Sequence, residues 1–197
     1  MGRKSNKEII KEQGITIRKL FVSYTFLLCA IVIFLYSLHN MIIDYDGVQL
    51  NFMAILLPLV FFLAGVINKE LGYKWAMRAV VLSTVVLFCY SLTSRAMITG
   101  DFDIIGSVGT TVAYIVSQSV CLAIYNYLLI NTRLPIASVI ITYIFALLIN
   151  NMICMLFVKN MVFTDSFWFE YILLILFQGC LAIILSMFDA IVERGID

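Results

Sequence analysis

Six long apolar runs follow one another along this chain: Leu20–Leu38, Leu50–Ile67, Ala76–Thr93, Ile104–Ile130, Pro135–Val158 and Phe167–Val192. No Asp, Glu, Lys, Arg or His falls deep within any of them, and Arg78, Glu170 and Asp189 stand only near run ends. An α-helix needs roughly 20 apolar residues to cross a hydrocarbon core. Strands of a membrane barrel would instead appear as segments of about 10 residues that alternate in polarity. The runs therefore predict an all-α, polytopic membrane protein with six transmembrane helices. Composition agrees: 63% of the 197 residues are apolar and 13% charged, against about 25% charged in a soluble domain. A soluble globular fold is excluded on that ground. The formal net charge of +1 supplies no basic face for nucleic acid. The expected surroundings are the lipid bilayer.

Residues 1–19 read as a polar N-terminal segment, 20–192 as the transmembrane domain and 193–197 as a short tail. A Met-Gly start invites a myristoylation reading, but Asn6 stands where that motif takes Ser or Thr. The apolar run after Lys19 exceeds a signal-peptide core, so it reads as a retained first span. Short-loop lysines and arginines set orientation. The N-terminal segment, the loop with Lys69, Lys74 and Arg78, the loop with Arg133 and the tail with Arg194 together hold eleven of the thirteen basic residues. The opposite loops hold Arg95 and Lys159, with Asp44, Asp46, Asp101, Asp103 and Asp165. Both termini are therefore expected in the cytoplasm.

Two prolines punctuate the pattern. Pro58 removes a backbone donor within the second run and should kink that helix. Pro135 suits the first turn of the fifth helix. Only Asn131, Thr132, Arg133 and Leu134 join the fourth and fifth runs, which predicts a tight antiparallel helix pair. The five cysteines all lie in apolar runs without a CxxC pairing, as small buried hydrophobes do.

At about 1.5 Å of rise per residue, the span midpoints fall near Cys29, Pro58, Val85, Ser117, Leu147 and Gly179. Gln118, Asn150, Asn151 and Gln178 then occupy one layer, with Asn126 two turns from Gln118. Unpaired amides are costly in hydrocarbon. Two readings fit: hydrogen-bonded glue between helices, or a midplane site of the kind secondary transporters use. A planar amide offers one acceptor and two donors, which matches the edge of a small, neutral, planar solute. Tyr114, Tyr125, Tyr143 and Phe177 are candidates to stack on it. The substrate-binding set is therefore Gln118, Asn150, Asn151, Gln178 and Tyr114.

Small residues recur at Gly109, Ala113, Ser117 and Cys121, and again at Thr142, Ala146, Asn150 and Cys154. A third stripe runs through Gln178, Ala182 and Ser186 towards Asp189. Such stripes permit close helix contact, either within the chain or between copies in a homo-oligomer. Deep charges, which proton relays, voltage sensors and cation pores use, are missing. So are a P-loop, a dinucleotide fingerprint and an acid–base or nucleophilic constellation. His39, the only histidine, reads as a solvated loop residue. No enzyme activity, cofactor or metal is expected.

The stretch Leu63–Arg78, with Glu70, Gly72, Tyr73, Lys74 and Arg78, resembles the second-span signature of the vitamin uptake transporter family, also called queuosine-precursor transporters. Ala113–Asn126, with Gln118 and Asn126, resembles that family's fourth span. The resemblance extends over roughly residues 50–192. It implies uptake of a 7-deazaguanine precursor across a bacterial cytoplasmic (inner) membrane. Where the family often carries a second-span carboxylate, a fifth-span Asp and a basic residue near position 178, this chain has Gly65, Asn150 and Gln178. A non-transporting membrane interaction or regulatory protein derived from the family is the alternative reading.

Overall fold

The computed structural model describes residues 6–38, 41–45, 48–99, 104–131, 135–157 and 167–194. Helix α1 covers Asn6–Ser37, followed by strands β1 (Ile42–Tyr45) and β2 (Val48–Asn51). Then come α2 (Phe52–Leu56), α3 (Pro58–Leu71), α4 (Tyr73–Thr99), α5 (Ile104–Asn131), α6 (Pro135–Phe157) and α7 (Phe167–Arg194). Among the described residues, five helical stretches are long and apolar enough to cross a membrane. They lie in α1, in α2 with α3, and in α4, α5 and α7. In α6, a 23-residue helix, the described stretch Val139–Cys154 is apolar but shorter.

The described residues are helical as expected apart from one short element that the apolar runs do not predict. The segment between the first two runs forms an antiparallel hairpin in which Ile42 pairs with Asn51 and Tyr45 with Val48. Alternating Ile, Asp, Tyr and Val, Leu residues flank the dipeptide Asp46-Gly47, a strong hairpin-turn signal in the sequence. The second helix consequently begins later than its apolar run: Leu50 belongs to β2, and the Asn51 side chain caps α2 by accepting from the Ala54 N–H at 3.3 Å. The first helix begins earlier, because the polar segment from Asn6 is already helical.

The break at Pro58 takes a particular form. Leu57 keeps helical dihedrals (φ −51°, ψ −34°). Its N–H turns to the Ala54 carbonyl at 3.3 Å, and Val60 N–H to the Leu57 carbonyl at 3.1 Å. The chain thus passes through a tightened turn rather than a loop. Helix α3 ends where Gly72 adopts φ 87° and donates its N–H to the Asn68 carbonyl at 2.9 Å. That positive φ suits glycine, which carries no Cβ penalty there.

Helix α3 is the centre of the bundle. It contacts α1, α4, α5, α6 and α7, and it buries Pro58, Val60, Phe61, Leu63, Ala64, Gly65, Ile67 and Asn68. Leu59, Phe62 and Val66 share the remaining, half-buried face, so most of the apolar circumference of α3 faces other helices. Helices α1 and α4 pack side by side and are joined by two aromatic pairs, Phe21 on Trp75 and Tyr36 on Tyr90. Helices α5 and α6 form the antiparallel pair that their short connection predicts. At Gly65 α3 and α6 come close together: a Cβ there would stand 2.9 Å from the Tyr143 hydroxyl of α6.

Many hydroxyls within the helices are satisfied locally, whereas those of Thr25 and Ser107 are buried without a partner. Ser83, Thr84, Thr110, Thr111, Ser119 and Ser186 donate to carbonyls three or four residues earlier, at 2.7–2.9 Å. That back-bonding is how polar side chains tolerate an apolar setting.

Candidate functional site

The structure buries all four amides of the expected layer, but it divides them into three groups. The first group joins three helices. Asn151 Nδ2 donates to Gln178 Oε1 at 3.1 Å, and Gln178 Nε2 donates to the Ala54 carbonyl at 2.7 Å. Ala54 lies four residues before Pro58, so its carbonyl is the acceptor that the missing proline N–H would have served. The Gln178 amide takes over that role from α7. This chain of two bonds leaves Gln178 1% exposed and repairs the helix break from outside it.

The second group ties α5 to α6. The Ser117 hydroxyl lies 3.0 Å from the Tyr114 carbonyl and 3.3 Å from Asn150 Oδ1, two acceptors for one proton. Asn150 Nδ2 faces the Cys154 sulfur at 3.9 Å, a weak acceptor. The small-residue stripe through Gly109, Ala113, Ser117 and Cys121 is buried, and the Ser117–Asn150 contact sets it against α6. Thr142 and Ala146 are buried on the facing helix. The α5 stripe is therefore occupied within the chain, and a homo-oligomer would need another surface. Gln178, Ala182 and Ser186 of α7 are likewise buried.

The third group is Gln118 alone. It is 0% exposed, and neither its Nε2 nor its Oε1 has a hydrogen-bond partner. On α5 it stands one turn after Tyr114 and one turn before Leu122, both members of the core cluster with α1, α3 and α4. Tyr114 is engaged with α4: its hydroxyl lies 2.8 Å from Ser83 Oγ, which also reaches the Val80 carbonyl at 2.9 Å. One proton per hydroxyl gives the consistent order Tyr114 to Ser83 to Val80.

Sequence reasoning did not single out Ser83, a mid-helix hydroxyl on α4, or the Ala54 carbonyl. The signal for the second was present, since Pro58 removes the usual helical donor of the carbonyl four residues earlier. Asn68, whose Oδ1 is also buried without a partner, was likewise missed as a polar group of the core. Of the candidate stacking rings, Tyr114, Tyr125 and Tyr143 are buried, whereas Phe177 is 47% exposed. Phe177 therefore lies on the outer surface, because it directly precedes the inward-facing Gln178.

All five cysteines are free thiols. Among the described residues, no Asp, Glu, Lys, Arg or His is buried, and no cluster of three or more metal-binding side chains forms. His39, Asp46, Asp101, Asp103, Arg133, Lys159 and Asp165 lie outside the described residues. No protein-family model, no curated protein and no solved structure matches the chain.

Proposed function

We propose that this chain is a six-span membrane carrier with both termini in the cytoplasm, taking up a small, neutral, planar solute through its buried amide layer. The 7-deazaguanine precursors are the solute class implied by the sequence resemblance, and a bacterial inner membrane is the implied location. The observation that carries the reading is Gln118. A primary amide buried without a partner costs on the order of 1–3 kcal/mol, and it offers the donor–acceptor edge that a planar heterocycle complements. Tyr114 stands one turn from Gln118 on α5, and Asn150 Nδ2, whose described acceptor is the Cys154 sulfur, belongs to the neighbouring α5–α6 group. The interrupted second span adds support, since discontinuous helices recur at solute sites of secondary transporters. Asn151 and Gln178 then serve the break and engage solute only if their mutual bond opens.

The test is uptake of labelled 7-deazaguanine precursor into cells at matched protein levels. Removing one solute hydrogen bond lowers apparent affinity roughly five- to tenfold, so Gln118→Leu should show that loss and Gln118→Asn part of it. Normal uptake by Gln118→Leu overturns the site.

A second reading is a non-transporting oligomeric or regulatory membrane protein. It is favoured by the closed Asn151–Gln178–Ala54 chain, in which the amides act as glue. Under it, the wild-type chain takes up no precursor and runs as an oligomer when weighed in mild detergent.

A further inference from the structure

A groove of about 460 Å³ opens between α1 and α4, lined by Phe21 from α1 and by Trp75, Met77, Arg78, Val81 and Leu82 from α4. It is a shallow depression, open to the surroundings of the bundle rather than enclosed. It lies apart from the amide layer and is independent of any solute carried there. Val81 and Leu82 are exposed, as are Val22, Phe26 and Val85 further along the same two helices, so the groove opens on an apolar outer surface.

One end of it is cationic. The Arg78 guanidinium carbon stands 4.9 Å from the centre of the Trp75 ring, and Phe21 packs on that ring at 4.8 Å between centroids. A guanidinium held over an aromatic ring can still offer N–H groups to an anion, and Arg78 is exposed. Arg78 pairs with no carboxylate among the described residues. Lys74 lies one turn before Arg78 on α4, and Arg18 one turn before Phe21 on α1, both exposed.

We propose that this groove binds an anionic glycerophospholipid, with its phosphate at Arg78, Lys74 and Arg18 and one acyl chain against Phe21, Val81 and Leu82. The charge pattern selects the headgroup. Three cations without a described carboxylate partner complement an anionic lipid, whereas a choline headgroup brings a further positive charge. The apolar walls select a lipid over a free anion, since only a ligand with a long apolar part fills them. Basic sites beside transmembrane helices recognise anionic headgroups in this way.

Trp75 is the reporter. The sequence holds two tryptophans, and Trp168→Phe leaves Trp75 alone. The full chain is reconstituted in phosphatidylcholine vesicles containing a small fraction of either brominated phosphatidylglycerol or brominated phosphatidylcholine. Each basic group near an anionic lipid raises its affinity roughly fivefold. Brominated phosphatidylglycerol should therefore quench Trp75 at several-fold lower fraction, and Arg78→Gln and Lys74→Gln should each reduce that preference. Mass measurement of the wild-type chain released from mixed-lipid nanodiscs needs no substitution. It should show phosphatidylglycerol retained over phosphatidylcholine, with the adduct lost in Arg78→Gln. Equal quenching by the two lipids, a preference unaffected by both substitutions, or no selective adduct overturns the proposal.

Discussion

Gly65 and Tyr143 show how much one atom decides in this core. The Tyr143 hydroxyl occupies the space a side chain at position 65 would need, 2.9 Å from where its Cβ would stand. Overpacking of a close-packed core costs about 1–3 kcal/mol. Gly65→Ala should therefore lower stability in thermal unfolding in detergent, after the helix-propensity gain of about 1 kcal/mol is set against that cost. The loss should shrink in a Tyr143→Phe background, where the offending oxygen is gone. An equal loss in both backgrounds would show that the hydroxyl is not the obstacle. Gln118 teaches a complementary lesson. Its depth was legible from run length alone, but its lack of a partner was not, because partners come from other helices.

At the scale of elements, the break between α2 and α3 is held by a helix more than a hundred residues later in the chain. Pro58 removes the donor four residues on that a continuous helix would offer the Ala54 carbonyl, which keeps the longer Leu57 N–H bond at 3.3 Å and gains Gln178 Nε2 at 2.7 Å. A hydrogen bond between membrane helices contributes about 0.6 kcal/mol on average and up to about 1.7. Gln178→Leu should therefore destabilise the wild-type chain by about 1 kcal/mol or more, since it also strips Asn151 of its acceptor. In a Pro58→Ala background the restored N–H serves Ala54, and only the part due to Asn151 should remain. Additive effects of the two substitutions in detergent unfolding would dismiss the link. The kink was foreseeable from a proline inside an apolar run. Its repair was not, because nothing local to Pro58 says which helix lies beside it.

At the scale of the whole molecule, α3 is the hub that five other helices share, and the polar groups are distributed around it rather than gathered in one chamber. The orientation proposed for the bundle has a direct check. Reporter fusions after Lys74 and Arg133 should be active only as cytoplasmic reporters, and fusions after Asp103 and Asp165 only as external ones. An opposite placement of the two termini would mean an odd number of spans. The sequence by itself determined the extent of the long helices: the third to sixth apolar runs begin or end within a few residues of α4, α5, α6 and α7. That follows because a lipid-spanning helix satisfies all its backbone groups internally, so length and apolarity suffice to define it. The hairpin escaped because its signal was four residues per strand beside much stronger apolar runs. Only the tertiary structure decided which amides meet. Asn150 and Asn151 are neighbours in sequence yet lie in separate hydrogen-bond groups, one directed to α5 and the other to α7. Successive residues on a helix point about 100° apart, so depth is written in the sequence while direction has meaning only once the neighbouring helices are in place.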